Sequence, residues 1–291
     1  MALTIGTFDG VHRGHQAMLA RLVEAAEDLS LAPAVLTFDP HPREFFAPDS
    51  APPRLSSLRD KLAQLAAHGV AHTFIARFDA RLASLAPLAF VEHVLVERLG
   101  VRWVLVGDDF RFGKGRAGDL ALLRDAARTF SVEAMGTVSV DGERASSSAV
   151  RHALASGDLQ RAAALLGRPF AITGRVAHGA KLGRSMGVPT ANIPLRRKPA
   201  VSGIFAVRVH GLGHRALPGV ASVGVRPTVY ARGQTVLEVY IFDFDATIYG
   251  RRLEVELVRK LREEARYPDL DALRRQIGLD IAQARAVLAA S

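Results

Sequence analysis

The amino-acid sequence predicts two domains, an α/β domain with a parallel sheet followed by a small antiparallel β-barrel that ends in a helix. In the first half of the chain, short apolar strand segments alternate with amphipathic helix segments, the pattern of βαβ units with right-handed crossovers. Beyond about residue 153, short strand segments follow one another between glycine and proline clusters, as in an antiparallel barrel. A length of 291 residues is sufficient for two cores.

The elements of the first half are predicted from the spacing of apolar residues and from helix caps. Strands are predicted over residues 3–5, 34–38, 72–78, 101–106 and 132–138, and helices over residues 16–29, 57–67, 88–99 and 120–129. Ser57 and Asp60 stand in positions typical of a capping box, and Gly69 follows the end of the same helix. These boundaries give five strands joined by helical crossovers.

The second half begins with two helices, predicted over residues 149–155 and 159–166. Strands are then predicted over residues 170–176, 204–209, 219–223, 236–242 and 253–258, and a closing helix over residues 270–290. The change of pattern predicts a first domain over residues 1–155, a linker over 156–168 and a second domain over 169–291.

Composition excludes several kinds of site but does not decide which kind of partner the protein binds. The chain has no cysteine, which excludes disulfides, thiolate zinc sites and a cysteine nucleophile. It has neither a signal-peptide pattern nor an apolar run of about 18 residues, so we expect a soluble, cytoplasmic protein. The formal charge of +9 favours anionic partners, either nucleic acids or phosphate-bearing small molecules, but solvated surface arginines would explain it equally well.

A glycine-rich segment, Gly6-Thr7-Phe8-Asp9-Gly10-Val11-His12-Arg13-Gly14-His15, links the first predicted strand to the first helix. Its glycines permit close approach of a ligand, and the N-terminus of the helix offers unpaired N–H groups to a phosphate. His12 and His15 can face the same phosphate and stabilise the charge that develops in phosphoryl or nucleotidyl transfer. The segment matches neither a Walker A loop nor GxGxxG. A metal-binding pair or two surface histidines are the alternatives.

Two later segments also offer groups suited to an anion. Ser146-Ser147-Ser148-Ala149-Val150-Arg151 opens a predicted helix, where the serines can cap the helix or donate hydroxyls to phosphate. Arg151 lies one turn further on and can reach the same anion. The stretch from Val106 to Asp119 follows the fourth strand, and its glycines, with Lys114 and Arg116, are suited to an anion-binding nest. Taken alone, the serines are better explained as helix caps.

With these motifs the chain resembles the HxGH nucleotidyltransferases and, more closely, the bacterial bifunctional riboflavin kinase/FAD synthetases, over nearly its whole length. The resemblance implies that the loop Thr37-Phe38-Asp39-Pro40-His41-Pro42 and the segment after the fourth strand lie by the flavin, with Arg116 near phosphate. Ser148 replaces the threonine of the family's SSTxxR signature, and Asp109 stands where many relatives have asparagine. The residues expected at ATP in the first domain are Gly6, Phe8, Asp9, Gly10, His12, His15, Ser147, Ser148 and Arg151. Those expected at the flavin are Asp39, His41, Asp109, Phe112 and Arg116.

A second site is predicted in the barrel domain. The stretch from Gly179 to Asn192 has three glycines and two cations, which suggests a phosphate-binding loop, and Thr190 and Asn192 offer oxygens to Mg²⁺. Glu238, inside an apolar strand, can accept the proton of an attacking hydroxyl, although a glutamate pointing to water is the alternative. The stretch resembles the GxPTAN signature of riboflavin kinases, which implies that Thr190 and Asn192 lie at Mg–ATP. The residues expected at ATP here are Gly179, Lys181, Gly183, Thr190 and Asn192.

The resemblance implies two reactions on a Rossmann-like nucleotidyltransferase domain and a small β-barrel with a C-terminal helix. The barrel would phosphorylate riboflavin to FMN with ATP, using Glu238 as the base. The first domain would join FMN to a second ATP, giving FAD and pyrophosphate, with His12, His15 and Arg151 stabilising charge. We expect Mg²⁺ as cofactor, and riboflavin, FMN and ATP as partners. We expect neither nucleic acid nor a membrane as partner, and a monomer or weak homo-oligomer.

Two other functions stay open at this stage. A cytidylyltransferase-like protein with a non-catalytic barrel would use CTP and no flavin. A basic nucleic-acid-binding protein that retains the fold would bind RNA or DNA with a steep dependence on salt and would not turn over ATP. Among the residues, only the positive charge favours the last of these.

Overall fold

The computed structural model describes residues 1–179, 187–226 and 234–290, which form two compact units. The first unit comprises Met1–Pro52 and Ser56–Ser147. The second comprises Pro53–Leu55 and the chain from Ser148 onwards. Along the chain the units therefore meet within the first turn of a helix, and a short stretch of the first half belongs to the second unit.

The first unit is built on a five-stranded parallel sheet. Its strands are β1 (Ala2–Ile5), β2 (Pro33–Asp39), β3 (His72–Arg77), β4 (Trp103–Gly107) and β5 (Ser131–Met135). They lie in the order β3-β2-β1-β4-β5, and all four pairings are parallel. The chain reverses its direction of travel across the sheet at β1. The crevice beyond the carboxyl ends of β1 and β4 is therefore the switch point at which such sheets bind ligands.

Helices cover both faces of this sheet. They are α1 (Arg13–Asp28), α2 (Pro42–Phe46), α3 (Leu58–Ala67), α4 (Ala80–Ala83), α5 (Pro87–Phe90), which continues as a π-helix over Val91–Arg98, and α6 (Leu120–Ala126). Ser57 caps α3 as predicted, since its Oγ accepts a hydrogen bond from the Asp60 N–H at 3.2 Å. A two-stranded hairpin, β6 (Ser139–Val140) and β7 (Glu143–Arg144), was not predicted.

The core of the first unit consists of two apolar layers, one on each face of the sheet. Leu3 of β1 and Val104 of β4 pack with Leu95 and Leu123 on one face. The alternate residues, such as Val35 and Leu105, pack on the other face. Leu19, Leu22 and Leu65 complete this second layer from α1 and α3. The central strands are buried on both faces, which explains why they read as continuous apolar runs.

The second unit is a six-stranded antiparallel sheet that nearly closes into a barrel. It begins with α7 (Ser147–Ala155), whose first residue belongs to the first unit, and α8 (Leu159–Leu166). Its strands are β8 (Ala171–Arg175), β9 (Ala191–Leu195), β10 (Gly203–His210), β11 (Leu217–Arg226), β12 (Gln234–Ile241) and β13 (Arg252–Arg262). Their order is β8-β13-β10-β11-β12-β9. The two edges meet where the N–H of Ala177 donates to the carbonyl of Asn192 at 2.8 Å. The predicted fold class is thereby confirmed.

Strand β9 is the one barrel strand that the sequence pattern did not predict. It contains Pro194, which lacks the N–H of a ladder donor and favours a loop assignment. The structure places this residue opposite Val236 of β12. Because β9 lies at the edge of the sheet order, the proline is tolerated there, and the strand carries Asn192.

The closing helix α9 (Leu270–Ala289) is held on the barrel by an ion pair whose carboxylate is buried and whose guanidinium is half-buried. The Arg262 guanidinium makes two hydrogen bonds to the Asp280 carboxylate, of 2.7 Å and 2.6 Å. Asp280 is buried, and Gln276 donates to the same carboxylate at 3.0 Å. None of the helices in the described part of the chain is both long and apolar enough to span a membrane.

We expect Asp280→Ala to lower the free energy of unfolding of the second unit by about 2 kcal/mol, because it removes the buried carboxylate that holds the half-buried Arg262 guanidinium. Urea denaturation followed by loss of barrel structure would measure the change. Asp271→Ala is the matched control, since Asp271 forms only a long, exposed pair with Arg274 at 4.0 Å on the same helix. Its effect should stay below about 1 kcal/mol. Equal losses in the two variants would contradict an anchoring role for Asp280.

Candidate active sites

The loop between β1 and α1 is held in a strained, buried conformation. Phe8 and Val11 have positive φ angles of 47° and 41°, values that non-glycine residues rarely adopt. A Cβ atom at Gly6 would lie 3.0 Å from the Phe8 ring, which is tighter than an ordinary van der Waals contact, so glycine leaves room for that ring. Phe8, Asp9 and Val11 are fully buried. Strain of this kind persists only where the surroundings impose it, and it is frequent at ligand-binding loops.

Asp9 and two serines fix the backbone of this loop. The Asp9 carboxylate accepts hydrogen bonds from the N–H and the hydroxyl of Ser56 at 3.2 Å and 3.4 Å. The Ser56 Oγ in turn accepts from the N–H of Gly10 at 3.1 Å. The Ser147 hydroxyl donates to the carbonyl of Asp9 at 2.9 Å, within the same unit. Two segments that are distant in sequence therefore converge on the same turn.

The two histidines of the motif lie side by side at the N-terminus of α1. Their rings stack with centroids 3.7 Å apart, and the N-cap residue His12 accepts from the N–H of His15 at 3.4 Å. A Cβ at Gly14 would lie 3.0 Å from the Ala145 carbonyl and 3.2 Å from the His12 ring, which explains the glycine between them. The pair lies at the end of the helix where unpaired backbone N–H groups attract anions.

His12 is the more buried residue of the pair, and His15 has a shifted pKa. Within the described part of the chain its Nδ1 atom is buried and has no hydrogen-bond partner. Burial lowers the pKa of His15 well below its ordinary value, and the nearby His12 and Lys61 lower it further. The imidazole is therefore neutral at pH 7, and an anion placed against it would favour the protonated form.

The segment after β4 forms a tight exposed loop. Phe112 and Gly118 exchange two backbone hydrogen bonds of 3.0 Å and 2.9 Å, and the turn Lys114–Arg116 lies between them. The Phe112 ring is buried in the core against Phe90, with centroids 5.7 Å apart. Asp109 forms an exposed ion pair with Arg144 of β7 at 2.6 Å. The loop thus presents its cations outward and its aromatic ring inward.

Of the remaining residues predicted at ATP in the first domain, Ser148 and Arg151 belong to the second unit. The Arg151 Nε donates to the carbonyl of Pro53, in the same unit, at 2.7 Å. Their proximity to the histidine pair stays a prediction, because the structure describes the two units separately.

In the barrel, two adjacent strands bring the predicted kinase residues Glu238 and Asn192 together. Glu238 of β12 lies opposite Asn192 of β9 on one side and opposite Ser222 of β11 on the other. Directly paired residues of antiparallel strands share a face, with Cβ atoms about 5 Å apart. Asn192 is buried, and its amide donates to the carbonyl of Thr190 at 3.1 Å. The Oε1 atom of Glu238 is also buried.

Two neighbours complete this face of the barrel. A Cβ at Gly179 would collide with the Asn192 amide, so glycine is required for that close approach. The Ser222 hydroxyl donates to the Glu264 carboxylate at 3.3 Å. Lys181 and Gly183, which were predicted at ATP, lie outside the described residues. The described residues thus place a carboxylate, an amide and a hydroxyl on one surface.

Comparison with known proteins matches each half of the chain to a separate family model. The FAD synthetase model matches residues 1–149, and the riboflavin kinase model matches residues 166–288. A bifunctional riboflavin kinase/FMN adenylyltransferase of Escherichia coli K12 is 49% identical over 97% of this chain and 91% of its own length. A relative of the same name from Pseudomonas fluorescens is 49% identical over 99% and 93%.

The chain belongs to the bifunctional riboflavin kinase/FMN adenylyltransferase family. The predicted family and its two enzyme activities in FAD synthesis are therefore confirmed, with ATP as substrate and FMN and FAD as products. A crystal structure described as a macrolide-efflux protein from Streptococcus pneumoniae is similar over 96% of this chain and 91% of that one, with a TM-score of 0.79 and 27% identity. That similarity extends over both halves of the chain.

Sequence reasoning missed one side chain of the FAD synthetase half, Lys61. It lies on α3 and is 1% exposed, which is rare for a lysine. Its ammonium donates to the Thr37 hydroxyl at 3.2 Å, and that hydroxyl donates to the carbonyl of Thr7 at 3.2 Å. The signal was present in the sequence, because Lys61 falls three residues after Leu58 and four before Leu65, on the apolar stripe of the helix.

An exposed aromatic cluster near the predicted flavin loop was also missed. His41 caps α2, since its ring accepts from the N–H of Arg43 at 3.1 Å. Phe45, Phe46 and Phe78 meet edge to face, with centroids 5.2 Å to 5.7 Å apart. Phe46 is 64% exposed. A flat apolar ligand could pack on this cluster, whose phenylalanines the sequence alone would assign to a core.

Proposed function

We propose that the first unit transfers the adenylyl group to FMN and that the second unit phosphorylates riboflavin. The matches of the FAD synthetase model and of the riboflavin kinase model to the two halves of the chain support this division of labour. Within it, we keep residues 1–155 as the adenylyltransferase domain, 156–168 as the linker and 169–291 as the kinase domain. Family membership favours these reactions over the CTP-dependent and nucleic-acid-binding alternatives.

In the kinase, Glu238 is the general base for the terminal hydroxyl of the riboflavin side chain. The hydroxyl oxygen attacks the γ-phosphorus of ATP, its proton passes to the carboxylate, and ADP leaves. The observation that supports this role most strongly is the register that puts Glu238 directly opposite Asn192. A strand glutamate that only faced water would not have a buried carboxylate oxygen.

Thr190 and Asn192 fit a magnesium ion by the chemistry of their donors. Hydroxyl and amide oxygens are hard ligands, and Mg²⁺ is usually held by few protein groups together with substrate phosphates. When bound, Mg²⁺ would neutralise the charge of the ATP phosphates. Gly179, Lys181 and Gly183 would bind those phosphates from the adjoining loop.

This assignment predicts an effect on the metal requirement. Thr190→Val should raise the Mg²⁺ concentration for half-maximal riboflavin phosphorylation at least about tenfold, since it removes one ligand oxygen without changing side-chain size. Thr190→Ser keeps the oxygen and is the matched control. Initial rates of FMN formation across a Mg²⁺ titration would measure both. An unchanged midpoint in the valine variant would remove Thr190 from the metal site.

In the adenylyltransferase, a phosphate oxygen of FMN attacks the α-phosphorus of ATP, and pyrophosphate leaves. His12 and His15 stabilise the negative charge on the transferring phosphoryl oxygens, together with the N-terminus of α1. The loop residues Gly6, Phe8, Asp9 and Gly10 would line the ATP-binding loop. Ser147, Ser148 and Arg151 would bind the phosphates of the same ATP. The stacked pair at the helix N-terminus supports this role. Binding of ATP would raise the pKa of His15, because a nearby anion favours the imidazolium.

The flavin of this reaction would lie along the edge formed by the ends of β2 and β4. Asp39 and His41 line it from the first loop, and Asp109, Phe112 and Arg116 from the second. The exposed phenylalanines of α2 support this placement, since the isoalloxazine ring is flat and largely apolar. We further propose a monomer or weak homo-oligomer that works in the cytoplasm, where its substrate ATP is made, on small molecules and not on nucleic acid or membranes.

Incubating the protein with riboflavin, ATP and Mg²⁺ and separating the flavins over time tests this function. FMN should appear first and FAD should follow it, with ADP and pyrophosphate as the other products. Turnover of CTP in place of ATP, or no turnover of riboflavin at all, would contradict the proposal.

A further inference from the structure

Lys61 is a charged side chain that the fold buries at considerable cost. The residue is 1% exposed on the face of α3 that packs against the sheet. Transferring an ammonium group from water to a protein interior is unfavourable by several kcal/mol unless its hydrogen bonds are replaced. A leucine or methionine would fill the same stripe without that cost, so packing alone does not explain a lysine.

The lysine is connected to the adenylyltransferase loop through one hydroxyl. The Thr37 Oγ1 atom accepts from the Lys61 ammonium at 3.2 Å and donates to the carbonyl of Thr7 at 3.2 Å. Thr37 is fully buried on β2, and Thr7 lies between Gly6 and the strained Phe8. A hydroxyl that accepts from a cation is polarised and donates more strongly, so the two bonds reinforce each other.

The charge of Lys61 also lowers the pKa of His15 in the histidine pair. After burial and after His12, it is the third cause of the lowered pKa of His15. The ammonium is therefore close enough to add positive potential at the position where a triphosphate would bind, in surroundings where water screens it little.

We propose that Lys61 is a positioning residue for adenylyl transfer, which fixes the Thr7 carbonyl through Thr37 and adds positive charge beneath the loop that presents His12 and His15. The inference rests on the proposed function of the first unit. Lys61 takes no part in the exchange of bonds at phosphorus. Its effect is to hold the loop in the shape that ATP requires and to strengthen the attraction for the phosphates.

The test compares Lys61→Met, Thr37→Val, the double variant and the control Thr37→Ser in the full chain. Valine has the shape of threonine without the hydroxyl, whereas serine keeps the hydroxyl. The readouts are kcat and KM for ATP in FAD synthesis from FMN, with riboflavin phosphorylation by the same samples as the internal control. His15→Ala is assayed alongside, and thermal unfolding reports on the fold.

We expect Lys61→Met and Thr37→Val each to lower kcat/KM for FAD synthesis by about ten- to hundredfold, the range for a hydrogen bond to a charged group. The double variant should lose little more than Lys61→Met alone, because both changes break the same chain of bonds. Thr37→Ser should stay within about threefold of the parent, as small changes away from a disrupted contact do. Riboflavin phosphorylation should be unchanged in all four.

Three results would overturn the inference: Lys61→Met or Thr37→Val with parental FAD synthesis, losses in the single variants that multiply in the double variant, or kinase activity and thermal stability that fall in proportion to FAD synthesis. If Lys61→Met lowers stability, the comparison of Thr37→Val with Thr37→Ser still decides the test. If His15→Ala itself retained FAD synthesis, the proposed function of the unit would fail instead, and the two failures are therefore distinguishable.

Discussion

Replacing His15 with alanine is expected to reduce the conversion of FMN to FAD by at least about a hundredfold, the loss typical of removing one donor that stabilises transition-state charge. The Nδ1 atom of His15 is buried, and its ring stacks on His12 at 3.7 Å, so water cannot take its place readily. The measurement is the rate of FAD formation from FMN and ATP. Riboflavin phosphorylation by the same variant should be unchanged, so FMN should accumulate.

A surface histidine of the same unit supplies the control for this result. His93 lies on the π-helix that follows α5, is exposed, and contacts Glu97 at 2.9 Å. His93→Ala should leave both activities at the parental rate. A His15→Ala protein that still makes FAD within about tenfold of the parental rate would show that this imidazole does not stabilise the adenylyl group during its transfer.

Glu238→Gln is expected to lower the rate of riboflavin phosphorylation by about 10²- to 10⁴-fold, the usual contribution of a general base. Glutamine keeps the size and the hydrogen-bonding capacity of the side chain but cannot accept the proton of the attacking hydroxyl at neutral pH. With FMN supplied, FAD should still form at the parental rate, because we propose that the first unit carries that reaction. The measurement is FMN formation from riboflavin at saturating ATP and Mg²⁺.

Glu254→Gln is the matched control, since Glu254 is an exposed glutamate on another strand of the same barrel, β13. It should phosphorylate riboflavin normally. Activity of Glu238→Gln near the parental level would leave Glu238 as a packing or hydrogen-bonding residue on the strand face, and the attacking hydroxyl would need a different base.

The sequence predicted most of the fold because its signals are local. Alternation of apolar runs with amphipathic helices predicted all five parallel strands, and the cap Ser57 marked the start of α3. The main error in the barrel has an identifiable cause. Pro194 lowers the strand propensity of β9, and only the position of that strand at an edge of the sheet makes the proline acceptable.

The sites were predictable where a motif is contiguous and not where it is assembled from distant strands. His12 and His15 are three residues apart, so their contact follows from helix geometry. That Ser147 would bond to Asp9, or that Ser222 would lie beside Glu238, depends on tertiary pairing, which no local pattern encodes. Lys61 carried a local signal, a cation on an apolar stripe, but its partner Thr37 could only be identified from the fold.

Two separate active sites joined by diffusible FMN are the centre of this account, and mixing two single variants tests it directly. Given riboflavin, ATP and Mg²⁺, His15→Ala alone should stop at FMN, and Glu238→Gln alone should leave riboflavin unchanged. An equimolar mixture should restore FAD formation, because FMN made by the first variant is adenylylated by the second. A mixture that makes FMN but no FAD, although Glu238→Gln converts added FMN, would contradict the account.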